Sequence, residues 1–145
     1  MALVYIQDLR KDKSWYMGTQ PRQGDASGQT AEAEFESMIK ALIDQRKLSW
    51  AQGVSKSPSS EDVTKKIDFR IRSFMHRDKS LCEFSIPIQV KASGRLGVLE
   101  FDNDANERVY VIIMYPGLPQ QKLRKVLYKI YGKEVNRRKT LKQFA

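Results

Sequence analysis

Three polar residues stand at the ends of two apolar segments of the sequence. Asp68 lies at the start of the alternating segment 67–74, and Gln89 and Lys91 lie at the end of the segment 81–90. Because side chains alternate across a strand, Gln89 and Lys91 share one face. If the two segments pair as a hairpin, a carboxylate, an amide and an ammonium converge at one end of a sheet. Such a set can bind a metal ion and neutralise the charge of an anion.

A helix predicted over residues 30–47, with Thr30 as its N-cap, supplies a fourth candidate group. At about 100° per residue, Glu32 falls inside the apolar stripe of this helix and Glu36 lies on its flank. An acid in an apolar stripe is costly unless it meets a cation. We therefore expect the helix to cover the polar face of the hairpin and to bring Glu32, or alternatively Glu36, to Asp68. The stripe consists of Phe35, Met38, Ile39, Leu42 and Ile43.

The remaining pattern predicts the elements that position these groups. A second amphipathic helix around residues 123–131 is bounded by Pro119 and Gly132. Helix, strands and helix in this order predict an α/β fold, a mixed central sheet flanked by helices, in a single domain over residues 1–145. The remaining predicted segments are a possible strand at 3–6, polar loops at 18–29 and 55–66, and strands at 48–54 and 108–115.

The charge of the chain indicates a polyanionic partner. Lys and Arg total 26 against 17 Asp and Glu, a net charge of +9. Much of it lies in a basic C-terminal arm from about residue 133, and such arms bind phosphates by displacing counterions. We expect a nucleic acid as the partner, and the charge alone does not distinguish DNA from RNA. The candidate nucleic-acid-binding residues are Arg70, Arg95, Lys133, Arg137, Arg138 and Lys139.

Other classes of protein are disfavoured by what the sequence lacks. The longest apolar run, 109–115, is too short to span a bilayer, and the N-terminus lacks the features of a signal peptide. One cysteine, Cys82, forms no internal disulfide, and the single histidine, His76, has no partner for a histidine-based metal site. We expect a cytoplasmic protein with no membrane partner. Trp15, Tyr16, Trp50 and Tyr110 are expected to pack in a core or interface rather than stack on bases.

Glu32, Asp68 and the triplet Gln89-Val90-Lys91, in helix–strand–strand order, resemble the PD-(D/E)xK nuclease superfamily in its D…QxK variant, as in restriction-type, homing-type or phage-type small endonucleases. The resemblance implies a restriction-endonuclease-like αβββαβ core. It also implies a DNA endonuclease that depends on Mg²⁺, with Mn²⁺ as an alternative. It assigns the metal to Asp68, Gln89, the Val90 carbonyl and Glu32, and charge stabilisation or water orientation to Lys91.

The sequence departs from this superfamily at several points. Ile67 replaces the usual proline, Gln89 replaces the usual acid, and the helix expected before the last strand is reduced to residues 94–107. A Holliday-junction resolvase of the same superfamily and a non-catalytic basic nucleic-acid-binding protein therefore remain alternatives, as does an interaction protein without a nucleic-acid role. A short chain has little room for a recognition domain, so a homodimer or higher homo-oligomer is expected.

Simpler roles for the individual residues also remain open. Lys91 can be the first polar residue after a strand, and Asp68 can form an ion pair with Arg70 or Lys66. Glu32 can be an acid that the helix dipole favours.

Overall fold

A computed structural model of the chain describes residues 24–58 and 66–144, with the side chains of residues 30–58 and 66–140. The predicted α/β class, with a mixed sheet and two helices, is confirmed within these ranges. The predicted strand at 3–6 and the aromatic residues Trp15 and Tyr16 lie outside the described residues. The elements are α1 (Gly24–Asp44), β1 (Ala51–Lys56), β2 (Phe69–Arg77), β3 (Ser80–Ala92), β4 (Gly97–Asp102), β5 (Arg108–Met114) and α2 (Gln120–Phe144).

The five strands form one mixed sheet in the order β1-β2-β3-β5-β4. β1, β2 and β3 pair antiparallel, and the β2–β3 hairpin turns at Asp78 and Lys79, which both have positive φ as a two-residue hairpin turn requires. β5 then inserts between β3 and β4, parallel to β3 and antiparallel to β4. The chain therefore passes from β3 to the edge of the sheet and returns to fill the gap.

The αβββαβ order that the resemblance implies is not the order of the described residues, since strand β4 stands where it places a helix. The side chains of this segment alternate between the two faces of the sheet, which explains why it forms a strand. Val98 faces the main core, whereas Leu99 and Phe101 pack against Val111 and Ile113 on the other face of the sheet. The segment was too short and too close to the polar turn at 103–107 for this alternation to be recognised from sequence.

Both helices lie on the same face of the sheet. Phe35 and Ile39 of α1 and Leu123 and Leu127 of α2 belong to one buried cluster with the apolar side chains of β2, β3 and β5. Their strand partners in this cluster include Phe69, Ile71, Ile86, Ile88, Val90, Tyr110 and Ile112. Trp50 and Tyr110 are buried, so their predicted role in the core is confirmed. No helix in the described part of the chain is long and apolar enough to cross a membrane.

Both helices are longer than predicted. α1 begins at Gly24, so Thr30 lies inside the helix and the loop predicted at 18–29 is wrong over its last six residues. α2 continues through Gly132 to Phe144, so the predicted end at Gly132 is also wrong. Glycine disfavours a helix interior by only about 1 kcal/mol relative to alanine, and tertiary contacts beyond it are sufficient to override that preference.

Gly132→Ala should raise the free energy of unfolding by about 0.5–1 kcal/mol, because it restricts the unfolded chain at a helical position. A Cβ at Gly132 meets no atom within 4 Å. Gly117→Ala is the matched control, since its Cβ also meets nothing but its φ is +79°. That variant should lose about 1–2 kcal/mol. Urea unfolding measures both, and a destabilised Gly132→Ala would contradict the continuous helix.

Candidate functional site at the end of the sheet

Asp68 is fixed by hydrogen bonds at the start of β2. The residue is 6% exposed, and its Oδ2 accepts the Val90 N–H at 2.8 Å. Its own N–H donates to the Ile88 carbonyl at 2.8 Å, although Phe69 is the residue that pairs with Ile88. Two residues of one strand thus face one residue of its neighbour, as in a β-bulge. The carboxylate therefore takes the place of a ladder acceptor and ties the start of β2 to the end of β3.

Gln89 and Lys91 lie next to this carboxylate along β3. Both are half-buried, and the pairing with β5 sets them beside Val111 and Ile113. The predicted sharing of one face is confirmed, and that face is opposite Ile88 and Val90. The Asp68 carboxylate accepts the N–H of Val90, the residue between Gln89 and Lys91, so it lies beside the backbone of this triplet.

α1 does not cover this polar face, and the prediction that it would is wrong. Phe35 packs against Phe69 with ring centroids 5.1 Å apart, which places the N-terminal half of α1 at the same end of the sheet as Asp68. Its apolar stripe, however, is buried against the face that carries Ile88 and Val90. Strand alternation directs Gln89 and Lys91 to the other side. Glu32 is half-buried on α1, and Glu36 pairs with Lys40 at 3.0 Å.

The donor set at this end of the sheet fits a divalent cation in type but carries little charge. In the described part of the chain, no three His, Cys, Asp or Glu side chains form a group that could hold a metal ion. The candidate oxygen ligands at this end of the sheet are the Asp68 carboxylate, the Gln89 amide and the Val90 carbonyl. That carbonyl points to the same side as the Val90 N–H, towards β2. Mg²⁺ prefers such hard oxygen ligands and retains several waters. These residues fit a weakly held, largely hydrated ion.

Four of the six predicted nucleic-acid-binding residues are engaged in ion pairs. Arg70 binds Glu107 through two hydrogen bonds, at 2.9 and 3.3 Å. Arg95 and Lys139 are exposed. The other pairs are Lys133 with Glu100 at 3.2 Å, and Arg137 and Arg138 with Glu134.

Glu134 is the centre of a buried polar network between α2 and the sheet. Its side chain is 0% exposed and accepts hydrogen bonds from Arg137 at 2.8 Å, Arg138 at 2.6 Å and the Tyr110 hydroxyl at 2.9 Å. Burial and the nearby Glu134 charge raise the pKa of Tyr110, and the hydrogen bond to Glu134 raises the pKa of Arg137. Arg138 also lies over the Phe84 ring at 4.5 Å. These contacts anchor the last turns of α2, which were predicted to form an arm.

The outward side of α2 carries three lysines that were not among the predicted binding residues, together with Lys139, which was. We define the basic face as Lys122, Lys125, Lys129 and Lys139, all of which are exposed. The only acid of α2 is the buried Glu134. A helical projection of the sequence would have found this row, because it lies opposite the apolar stripe. Arg124 is exposed but donates to the Lys47 carbonyl at 3.1 Å, so it joins α2 to the loop before β1.

Comparisons with protein-family models, with curated proteins and with solved structures return no match. The resemblance to the PD-(D/E)xK superfamily therefore depends on the residues and contacts of this chain alone.

Asp68→Ala should destabilise the protein by about 1–3 kcal/mol, because the buried Val90 N–H loses its acceptor. Asp68→Asn retains an acceptor oxygen and should lose less than half as much. Urea unfolding of the two variants and the wild type measures the difference. Equal stability of Asp68→Ala and wild type would show that this hydrogen bond does not hold the start of β2.

Proposed function

We propose that this protein binds nucleic acid through the basic face of α2. The observation that carries the proposal is the separation of charge on this helix. Its exposed lysines face outward, while its one acid is buried against the sheet and neutralised by Arg137 and Arg138. Lysines in this arrangement release condensed counterions when they meet phosphates, which favours binding.

The dimensions of the basic face suit a nucleic-acid backbone. Lys122 and Lys139 are 17 positions apart, which corresponds to about 25 Å along a helix, and the four lysines lie within an arc of about 100°. Duplex DNA carries one charge per about 1.7 Å of its axis, so every lysine can meet a phosphate. The net charge of +9 on the whole chain adds a longer-range attraction.

A second candidate function is a metal-dependent DNA endonuclease, and the hydrogen bond between Asp68 and Val90 favours it. This bond holds a carboxylate beside the Gln89-Val90-Lys91 triplet at the end of the sheet. Asp68, Gln89 and the Val90 carbonyl would hold Mg²⁺, which supplies Lewis acidity and acidifies bound water. Lys91 would stabilise negative charge that develops on the phosphate. The kinds of endonuclease that remain open are restriction-type, homing-type and Holliday-junction-resolving enzymes. They are distinguished by the shape of the DNA that they cut.

The two candidate surfaces are separate. The basic face of α2 points away from one side of the sheet, and Gln89 and Lys91 lie on the other side. One nucleic-acid segment on α2 of one protomer therefore does not pass over Lys91 of the same protomer. A homodimer would reconcile the two surfaces. In it, α2 of one subunit would bind the nucleic acid, and the sheet end of the partner subunit would face the same nucleic-acid strand.

The four substitutions of the basic face, Lys122→Gln, Lys125→Gln, Lys129→Gln and Lys139→Gln, should weaken DNA binding and flatten its salt dependence. Each lost phosphate contact reduces the slope of log K against log salt by about 0.9. Fluorescence anisotropy with duplex DNA and with RNA of the same sequence, at several salt concentrations, measures both slopes. Truncation from residue 136 is a poorer test, because it would remove Arg137 and Arg138 from the buried Glu134.

A matched control replaces four exposed lysines elsewhere with glutamine: Lys47, Lys56, Lys66 and Lys79. It removes the same charge from the chain. The account predicts that this control keeps most of the wild-type slope. Equal losses in the two variants would mean that net charge, rather than the basic face of α2, determines binding.

Asp68→Asn and Lys91→Ala should each reduce Mg²⁺-dependent cleavage about a hundredfold or more, if the protein is an endonuclease, because each removes charge at the reacting phosphate. Supercoiled, linear and four-way-junction DNA should be incubated with Mg²⁺, Mn²⁺ or EDTA. Normal cleavage by both variants would exclude these residues from catalysis. A wild-type protein that cuts none of these forms would leave nucleic-acid binding without cleavage as the function.

A further inference from the structure

Tyr128 is an aromatic residue on the solvent side of α2. It is 38% exposed, and in the described part of the chain one other large hydrophobic residue, Leu81 in β3, is exposed. A single exposed tyrosine is ordinary on a protein surface. The position of this ring and the contacts that hold it are less ordinary.

The ring lies at the border of the basic face of α2. At about 100° per residue, Tyr128 is about 20° around the helix from Lys139 and about 60° from Lys125. Along the helix axis it lies between Lys125 and Lys129, about 5 Å from the first and about 2 Å from the second. A strand whose phosphates meet these lysines therefore brings its bases within reach of the ring.

The Tyr128 side chain is held in place from two sides. Its hydroxyl donates to the Lys47 carbonyl at 3.2 Å. Its ring packs edge to face with the buried Trp50, with ring centroids 6.0 Å apart and an interplanar angle of 83°. A hydrogen bond from the Ser49 side chain chiefly lowers the pKa of Tyr128. Because the ring is already ordered, little side-chain entropy is lost when a ligand stacks on it.

Arg124, one helical turn before Tyr128, adds a second planar group. Its guanidinium lies over the Tyr128 ring, with Cζ 5.5 Å from the ring centroid. Its Nε donates to the Lys47 carbonyl at 3.1 Å, so one carbonyl group orients both side chains. Arg124 is also exposed. We call Arg124 and Tyr128 the stacking pair.

We propose that the stacking pair accepts an unpaired base, so that single-stranded nucleic acid is the preferred ligand of the basic face. Nucleobases stack on aromatic rings and on guanidinium planes, and this stacking tolerates any sequence. The lysines beside the pair would hold the phosphates of the same strand. In a duplex, each base is stacked between its neighbours and is not available to the pair. The inference rests on the proposed function, because it names the form of nucleic acid that the same face binds.

The test compares two short DNA strands with the same number of phosphates, one of oligothymidine and one of stable abasic residues. In fluorescence anisotropy, wild type should bind the oligothymidine about fivefold more tightly or better, the effect of one stacked base. The salt dependence should be similar for both strands, since the phosphates are the same. Tyr128→Leu should remove the preference and bind the abasic strand as wild type does. Arg124→Lys keeps the charge without the plane and should reduce the preference.

Two further variants serve as controls, and thermal melting checks that all four are folded. Tyr128→Phe keeps the ring and loses only the hydroxyl, so it should keep most of the preference for oligothymidine. Leu81→Ala removes the other exposed large hydrophobic side chain, on a different element, and should bind both strands as wild type does.

Equal binding of the two strands by wild type would overturn the stacking pair. So would a preference that persists in both Tyr128→Leu and Arg124→Lys. A changed oligomeric state of Tyr128→Leu in analytical ultracentrifugation, with the preference intact, would assign the exposed ring to an interface between copies of the chain. Failure of the proposed function looks different, because neither strand would then bind with salt-dependent affinity.

Discussion

The arrangement of this protein depends on the burial of two apolar helix stripes against one face of the sheet. α1 and α2 share one core with the apolar rows of β2, β3 and β5. Side chains alternate along a strand, so this packing determines that Gln89 and Lys91 lie on the face without the helices. It also determines that the lysines of α2 face outward. The positions of the two candidate functional surfaces therefore both follow from the packing of the two helices on one face of the sheet.

The buried Glu134 extends this arrangement to the C-terminal part of α2. A buried carboxylate is tolerated only when cations and hydrogen bonds compensate it, and Arg137, Arg138 and Tyr110 supply both. Loss of one partner from such a network typically costs about 3–5 kcal/mol. The network holds the helix against β5 well beyond Gly132. Residues that look like a free basic arm in the sequence thus position the rigid helix that carries the basic face.

Much of the sheet could be predicted because its strands have a clear two-residue period. The segments predicted at 67–74, 81–90 and 108–115 correspond to β2, β3 and β5 within a few residues. Periodicity also showed that Gln89 and Lys91 share a face. It does not show which face of a strand meets which helix, and for this reason α1 was expected on the wrong side. β4 was missed because a six-residue edge strand beside a polar turn has a weak pattern.

The contacts of the candidate site were less accessible to sequence reasoning. The hydrogen bond from Val90 to Asp68 depends on a local bulge at the start of β2, which residue types do not reveal. The ion pair of Arg70 joins β2 to the loop before β5. The ion pair of Arg137 lies within the part of α2 that follows Gly132, where the helix was expected to have ended.

The central claim is that nucleic acid binds on the outward side of α2. NMR mapping of the ¹⁵N-labelled protein during titration with a short DNA duplex tests it most directly. The account predicts that the largest amide shift changes fall at Lys122, Lys125, Lys129 and Lys139 and their neighbours on α2, and that they fade as salt is raised. Changes confined to β1 and the β2–β3 turn, or none at low salt, would contradict it.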